Sequence, residues 1–446
     1  MSEATLSILN DLIDAAKKAG ADAADAVAVE ASSKSASWRD GKLEDVDGSE
    51  GEDIGLRVLI GTRQAMVSSS DRSAVALKAL VTRTIDMAKA VPEDPYCGLA
   101  PEEQLFQGPI PDLELADSTE ISAETLLEWA TAAEDAARAV DGVSNSDGAG
   151  ASSGSWGLAM ATSHGFSGHY RGTSCSISVS AIAGQGTSME RDYDYDSARF
   201  ASDLRGASDI GRIAGEKAVA RLNAGRLNSG TMPVVFDPRV GNSLLGHFAG
   251  AINGGSIARG TSFLKDKMGA AVFPSGIQII DDPLKMRGQK SRPFDGEGLA
   301  CNKTHFIKDG VLQSWTLNSA TARQLGLTAT GHASRGTSGA PGINHSNLYM
   351  KPGKVSPSDL IADIKDGFYV TELIGMGVNG VTGDYSRGAA GFRIENGQIT
   401  TPISEVTIAS NLIDMFARLI AANDLTFKYG TDVPTLRIDD MSIAGI

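Results

Sequence analysis

Apolar residues recur at helical spacing from Leu6 to Ala19, and Gly20 stands where a C-terminal cap would stop that helix. From Ala24 to Ala31 the chain alternates apolar and polar residues, the period of a half-buried strand. Gly51–Gly61 and Gln64–Val67 then predict a hairpin turning near Gly61-Thr62. Asp71 or Ser73 is placed to cap a helix reaching about Ala90, with Ala76, Leu80, Ile85 and Met87 on its buried side. Pro92-Glu-Asp-Pro95 stops it and opens a Pro- and acid-rich connector over 92–117. Ser122 to Val140 reads as an alanine-rich helix, Gly154–Thr162 and Ser174–Ile182 as paired strands, and Asp209 to Leu222 as a further helix. The second helix-and-strand set echoes the first. Residues 1–225 are therefore expected to form a layered α+β domain, as two subdomains joined near 92–117.

After Asn223-Ala-Gly225 the texture changes to short apolar runs broken by glycine. Pro233–Phe236 reads as a strand and the following segment, containing His247, as a helix; further helices are expected near 356–366 and 411–421. Asn396-Gly397 is a strong hairpin signal between Gly391–Ile394 and Gln398–Thr400. This pattern predicts a second, β-rich domain over 226–446, built on a curved antiparallel, barrel-like sheet, so the whole chain is of the α+β class. The 51 glycines are dispersed rather than periodic, which suits tight turns and bulges in sheets.

Composition narrows the classes of function. A hydrophobic fraction of 41% is that of an ordinary folded chain. A formal charge of -15 argues against nucleic acid or an anionic membrane as partner, since both attract a positive field. No apolar run is long enough for a membrane span. The start, Met1 to Asp11, lacks the basic lead of a secretion signal, and Cys97, Cys175 and Cys301 are too scattered for a disulfide framework. A cytoplasmic location is expected.

Among six histidines, His247 is the one embedded in a clear helix. Zinc helices place ligands four apart on one face, as in H-E-x-x-H, but positions 243 and 244 hold Ser and Leu, and position 242 holds Asn, a poor zinc ligand. His164 and His169 flank a turn without an acidic third partner. His332 and His345 flank a Gly/Ser-rich segment suited to mobility or peptide contact. Glu190–Asp196 lacks calcium-loop spacing and reads as a solvated strand-to-helix boundary; Asp281-Asp282 reads as a turn before Pro283. The glycine-rich stretch Val370–Gly391 is neither a dinucleotide fingerprint nor a phosphate loop. Within it, Asp384 and Arg387 are candidates to pair with each other or to contact an extended peptide.

Several segments together carry a family resemblance: Leu244-Leu-Gly-His-Phe248, Gly254-Gly-Ser256, Phe294-Asp-Gly-Glu-Gly298, Ile307-Lys-Asp-Gly310, Leu325–Gly331, Gly383-Asp-Tyr-Ser-Arg-Gly-Ala-Ala-Gly-Phe392, Glu395-Asn-Gly397 and Ser404–Ala409. The chain resembles the PmbA/TldD family, described as modulators of DNA gyrase and metallopeptidases, and more closely its PmbA (TldE) branch. In that family a TldD-like chain carries H-E-x-x-x-H on a helix and a cysteine near its C-terminus. Carried over, the first histidine falls at Asn242, the glutamate at Ser243 and the second histidine at His247, while Lys428–Asp440 contains no cysteine.

The resemblance thus implies a non-catalytic, metal-free subunit of a heterodimeric zinc peptidase acting on unfolded or small peptides, with zinc in the TldD-like partner and any gyrase link running through such a peptide. From the glycine-rich segments themselves, peptide or partner contacts are expected at Asp384, Tyr385, Arg387 and His332. An autonomous metallopeptidase, with an irregular site drawn from His247, His164 and His169, is the second expectation; a non-proteolytic homodimeric scaffold is the third. The N-terminal domain is expected to supply subunit interface, with a homodimer forming when the chain is isolated.

Overall fold

The computed structural model describes residues 1–446. Helix α1 (Glu3–Lys18) is capped by Ser2, whose hydroxyl accepts the Thr5 amide, and buries Leu6, Leu9, Leu12, Ile13 and Ala16 along one stripe. Strands β1 (Ala23–Arg39), β2 (Lys42–Ile60) and β3 (Arg63–Ser69) follow, then α2 (Ala74–Ala90). Ser73 caps α2 through the Ala76 amide, and Asp71 bonds Ser73 instead. The buried stripe of α2 is Leu80, Val81, Thr84, Ile85 and Ala88; Met87 is 43% exposed, one helical step off that stripe. Beyond the connector come α3 (Ala123–Arg138), β4 (Val143–Thr162), β5 (Ser167–Ala183), β6 (Glu190–Ala198) and α4 (Ala207–Ala220).

All six strands join one antiparallel sheet in the order β3-β2-β1-β4-β5-β6. The two helix-and-strand sets therefore share a sheet, zipped where β1 pairs β4 from Asp25↔Thr162 to Trp38↔Ala149. Alternate residues of β1 face the helices: Ala24, Ala26 and Ala28 meet α1 and α2, whereas Ala36 meets α3 and α4. Between those patches lies the polar run Ser32-Ser-Lys-Ser35, which carries no burial signal although it continues the strand. The β1–β2 turn, Asp40-Gly41, has positive φ at both positions, as a tight hairpin requires. The fully buried Glu134 of α3 holds it by accepting both turn amides at 2.9 Å.

The second half runs β7 (Gly230–Phe236), α5 (Pro238–Ala251), α6 (Gly254–Ala258), β8 (Ile279–Asp281), β9 (Thr304–Lys308) and β10 (Val311–Leu312). It continues through α7 (Ser319–Leu325), β11 (Ala333–Ser334), β12 (Gly342–Ile343), β13 (Leu348–Met350), α8 (Pro357–Ile361) and β14 (Asp366–Val378). The last elements are β15 (Asp384–Glu395), β16 (Gln398–Asn411), α9 (Leu412–Arg418), β17 (Ile420–Ala421), β18 (Thr431–Asp432) and β19 (Leu436–Ala444). The order β16-β15-β14-β7-β19-β17, with β16 also paired to β19, closes a five-stranded barrel that carries β17 at its edge. The barrel is mixed rather than wholly antiparallel, because β7 and β14 run parallel. At Gly391 a Cβ would lie 1.9 Å from the Tyr369 carbonyl oxygen, so this barrel position takes only glycine. A second sheet, β10-β9-β8-β13-β18, lies beside it. The largest core combines barrel residues such as Val234, Phe236, Phe368 and Ile438 with Leu244, Leu245 and Phe248 of α5.

The helix-free face of the first sheet packs on the second half. Leu158, Met160 and the half-buried Tyr170 meet Phe294 and Leu299, with the Tyr170 and Phe294 rings edge-on at 5.1 Å. Arg335 crosses this seam to Asp25, which also accepts from Arg57 Nε at 2.7 Å. The acids of β6 lie in the seam as well, a correction to their reading as solvated. Asp192 is 3% exposed and accepts both terminal nitrogens of Arg239, at 2.6 and 3.0 Å. Asp194 takes Lys217 at 3.1 Å and Arg205 at 2.8 Å. Burial pushes the Asp192 carboxyl up, yet Arg239 and Arg221 outweigh it and hold it below the usual range. Arg239 sits in the first turn of α5, so this pair fixes the start of the helix bearing His247 against the first domain.

Candidate functional site

Helix α5 begins at Asp237, whose carboxylate accepts the Arg239 amide at 2.9 Å and the Tyr369 hydroxyl at 3.0 Å, and Pro238 occupies the first turn. Its buried stripe is Gly241, Leu244, Leu245, Phe248 and Ala251. Asn242, Ser243, Gly246, His247 and Gly250 therefore lie off the core. At Gly246 and Gly250 an added Cβ would meet nothing within 4 Å, so this face of the helix borders open space. The Ser243 hydroxyl is turned back to the Val240 carbonyl at 2.7 Å.

His247 rests against Tyr385 of β15, ring centroids 6.1 Å apart and nearly perpendicular. Tyr385 is 1% exposed, and both its hydroxyl and His247 Nε2 are sealed from solvent without a hydrogen-bond partner. Arg387 follows two positions along β15, on the same strand face. It donates Nε to the Ile374 carbonyl at 3.3 Å and forms no salt bridge. Burial, reinforced by the Arg387 charge, pulls the His247 imidazole below its ordinary value and keeps it neutral near pH 7. Burial pushes the Tyr385 phenol far up, against the opposing pull of Arg387, so its proton stays on.

The structure separates Asp384 from Arg387. Asp384 lies on the opposite, exposed face of the strand, where it accepts the Thr382 hydroxyl at 2.6 Å and the Asn411 amide at 3.2 Å. His332 is not a mobile contact residue either. It is 2% exposed, with Nδ1 2.9 Å from the Thr330 hydroxyl and Nε2 3.3 Å from Asp281. Asp281 is a buried strand residue rather than a turn and also accepts the Ser346 hydroxyl at 2.6 Å. His164 Nδ1 lies 2.9 Å from the Ala100 carbonyl oxygen. Burial, aided by Lys290, pulls His345 down to about 4.

A zinc ion is a poor fit to what α5 offers: one imidazole, a carboxamide, and a hydroxyl already bonded to its own helix. Nowhere in the chain do three or more His, Cys, Asp or Glu side chains gather to hold a metal ion. The most unusual carboxyl pair, Asp295 and Glu297, was visible in sequence only as part of a family segment. Burial raises both, and Asp295 raises Glu297 further. Both Asp295 oxygens are occupied, by the amides of Glu297, Leu299 and Ala333, while Glu297 accepts the Ser319 amide and hydroxyl through Oε2 alone.

An unpartnered buried hydroxyl weakens the fold that contains it, by about 1–3 kcal/mol. Tyr385→Phe is therefore expected to leave the free protein as stable as the wild type or more so, read as an equal or higher midpoint in urea unfolding. A fall of more than about 1 kcal/mol would mean that the hydroxyl has a structural partner.

The class of protein to which this closed mixed barrel, joined to a helix-backed antiparallel sheet, belongs follows from sequence comparison. Three segments match models of that class: residues 24–88 match PmbA/TldA metallopeptidase domain 1, 116–222 the central domain and 229–445 the C-terminal domain. The chain belongs to this PmbA/TldD metallopeptidase family. It is 35% identical to the metalloprotease PmbA of Escherichia coli O157:H7, over 99% of this chain and 97% of that one. A Bacteroides thetaiotaomicron protein described as a modulator of DNA gyrase superposes with a TM-score of 0.91 at 26% identity, covering 100% of both chains. TldE from Thermococcus kodakarensis shares the fold, with a TM-score of 0.87 at 21% identity over 98% of this chain and 100% of that one. No helix is long and apolar enough to cross a membrane.

Proposed function

We propose that this chain is the non-catalytic, metal-free subunit of a two-chain zinc peptidase for unfolded or small peptides, working in the cytoplasm. A TldD-like partner supplies the metal and the water-activating carboxylate. The observation that carries this reading is α5 itself, which holds Asn242, Ser243 and His247 where a hydrolytic zinc helix needs two imidazoles and a carboxylate. The role left to this chain is to hold peptide beside the partner's site. Exposed apolar residues next to Tyr385 and Arg387 support such contacts: Ile374 is 58% exposed, Met376 85% and Val381 54%. An autonomous irregular site needs His247, His164 and His169 to converge, and His164 is instead tied to the Ala100 carbonyl. The exposed apolar residues also suit pairing with a second copy in the isolated state, which light scattering reads directly.

Metal analysis tests the proposal. The purified chain, exposed to zinc and then dialysed, is expected to retain none stoichiometrically, while its complex with a TldD-like chain retains about one ion per heterodimer. One zinc per isolated chain, removed by His247→Ala, would overturn the metal-free assignment.

A further inference from the structure

We propose that His247, Tyr385 and Arg387 form a binding site for a free carboxylate, the C-terminal α-carboxylate of a peptide; this inference rests on the peptide-holding role proposed above. The argument starts from unmet bonding capacity. A guanidinium has five N–H donors in a planar fork and no acceptor. Arg387 uses Nε on the Ile374 carbonyl and has no acid within ion-pair distance, although it is only 9% exposed. The Tyr385 hydroxyl, in a residue 1% exposed, is protonated and has nothing to donate to. His247 Nε2 is equally without a partner. Buried polar groups in folded proteins are nearly always paired, so unpaired ones on neighbouring side chains point to a missing ligand. On α5, His247 lies between Gly246 and Gly250, where an added Cβ would meet nothing within 4 Å.

The ligand's chemistry follows from the charge. Neutral His247 and neutral Tyr385 leave Arg387 as the single positive charge of the cluster, and Asp384 is engaged by Thr382 and Asn411 on the other face of the strand. One cation matched to one anion favours a carboxylate over a phosphate, which carries more charge and would meet a chain of net charge -15. A peptide carbonyl would satisfy the tyrosine but leave the guanidinium uncompensated. Two carboxylate oxygens can accept the guanidinium fork and the phenol hydroxyl together. In this family fold, where the helix lacks a metal-binding set, an arginine then supplies the positive charge that grips the peptide end.

The test titrates the full-length chain, by calorimetry, with three blocked peptides: N-acetyl-pentaalanine as free acid, the same peptide as amide, and an amide with a central glutamate. The free acid is expected to bind at least about tenfold tighter than either amide. Arg387→Gln and Tyr385→Phe should each reduce its affinity by about tenfold, the effect of losing one hydrogen bond to a charged group, without changing the amides. Arg387→Lys should restore part of the loss. Tyr385→Phe removes an atom without a protein partner, so it keeps the test valid even where an arginine variant unfolds. Equal binding of acid and amide, equal binding of the glutamate amide, or no saturable binding of the acid at millimolar concentration would each overturn the proposal. Those outcomes, with a zinc-free chain, would leave the subunit role standing; zinc held at His247 would remove that role whatever the peptides do.

Discussion

Asp25→Ala is expected to cost the fold about 3–5 kcal/mol, because it leaves two buried guanidinium groups facing each other without their shared anion. Asp25 is 1% exposed and Arg57 is 3% exposed. Arg335 reaches Asp25 from the second half of the chain, so the loss also loosens the seam between the barrel and the first sheet. Burial pulls the Arg335 guanidinium down even with Asp25 beside it. For Asp25 itself burial pushes the carboxyl up, but Arg335 and Arg57 together win and hold it below its usual value. A depressed folded-state carboxyl stabilises the fold above the unfolded value near 4, and that contribution fades as pH falls through the folded one. Urea unfolding should therefore show a wide gap between wild type and variant at neutral pH that narrows below about pH 4. A gap under about 1 kcal/mol at pH 7 would mean that water compensates the arginines.

How much of this was legible in sequence differs from element to element. Helix α1 was readable because its apolar stripe and its stop signal are local. β1 was readable only as far as Ala31, since its centre, Ser32 to Ser35, is solvated strand held by its neighbours rather than by its own burial. Barrel closure was beyond reach for a similar reason. The pairing of β7 with β14 joins Val234 to Phe368, and nothing in either segment names the other.

The site divides in the same way. The helix carrying Asn242, Ser243 and His247 was legible from its local spacing, whereas the strand face shared by Tyr385 and Arg387 was not, because the glycines around them read as a turn. The contact of Tyr385 with His247 joins distant segments and left no trace. His332 was misread because its flanking glycines and serines suggest a loop, whereas its partner Asp281 lies in a strand far back in the chain. Asp192 and Asp194 were misread because the cations that make their burial tolerable, Arg239 and Lys217, lie on separate helices.

The central claim is that hydrolysis belongs to a partner chain, and peptide turnover measures it directly. One unfolded peptide would be offered, with zinc present, to this chain alone, to a TldD-like chain alone, and to an equimolar mixture. The account predicts no turnover above background by this chain and the highest rate from the mixture. Turnover by this chain alone that disappears with His247→Ala would contradict it.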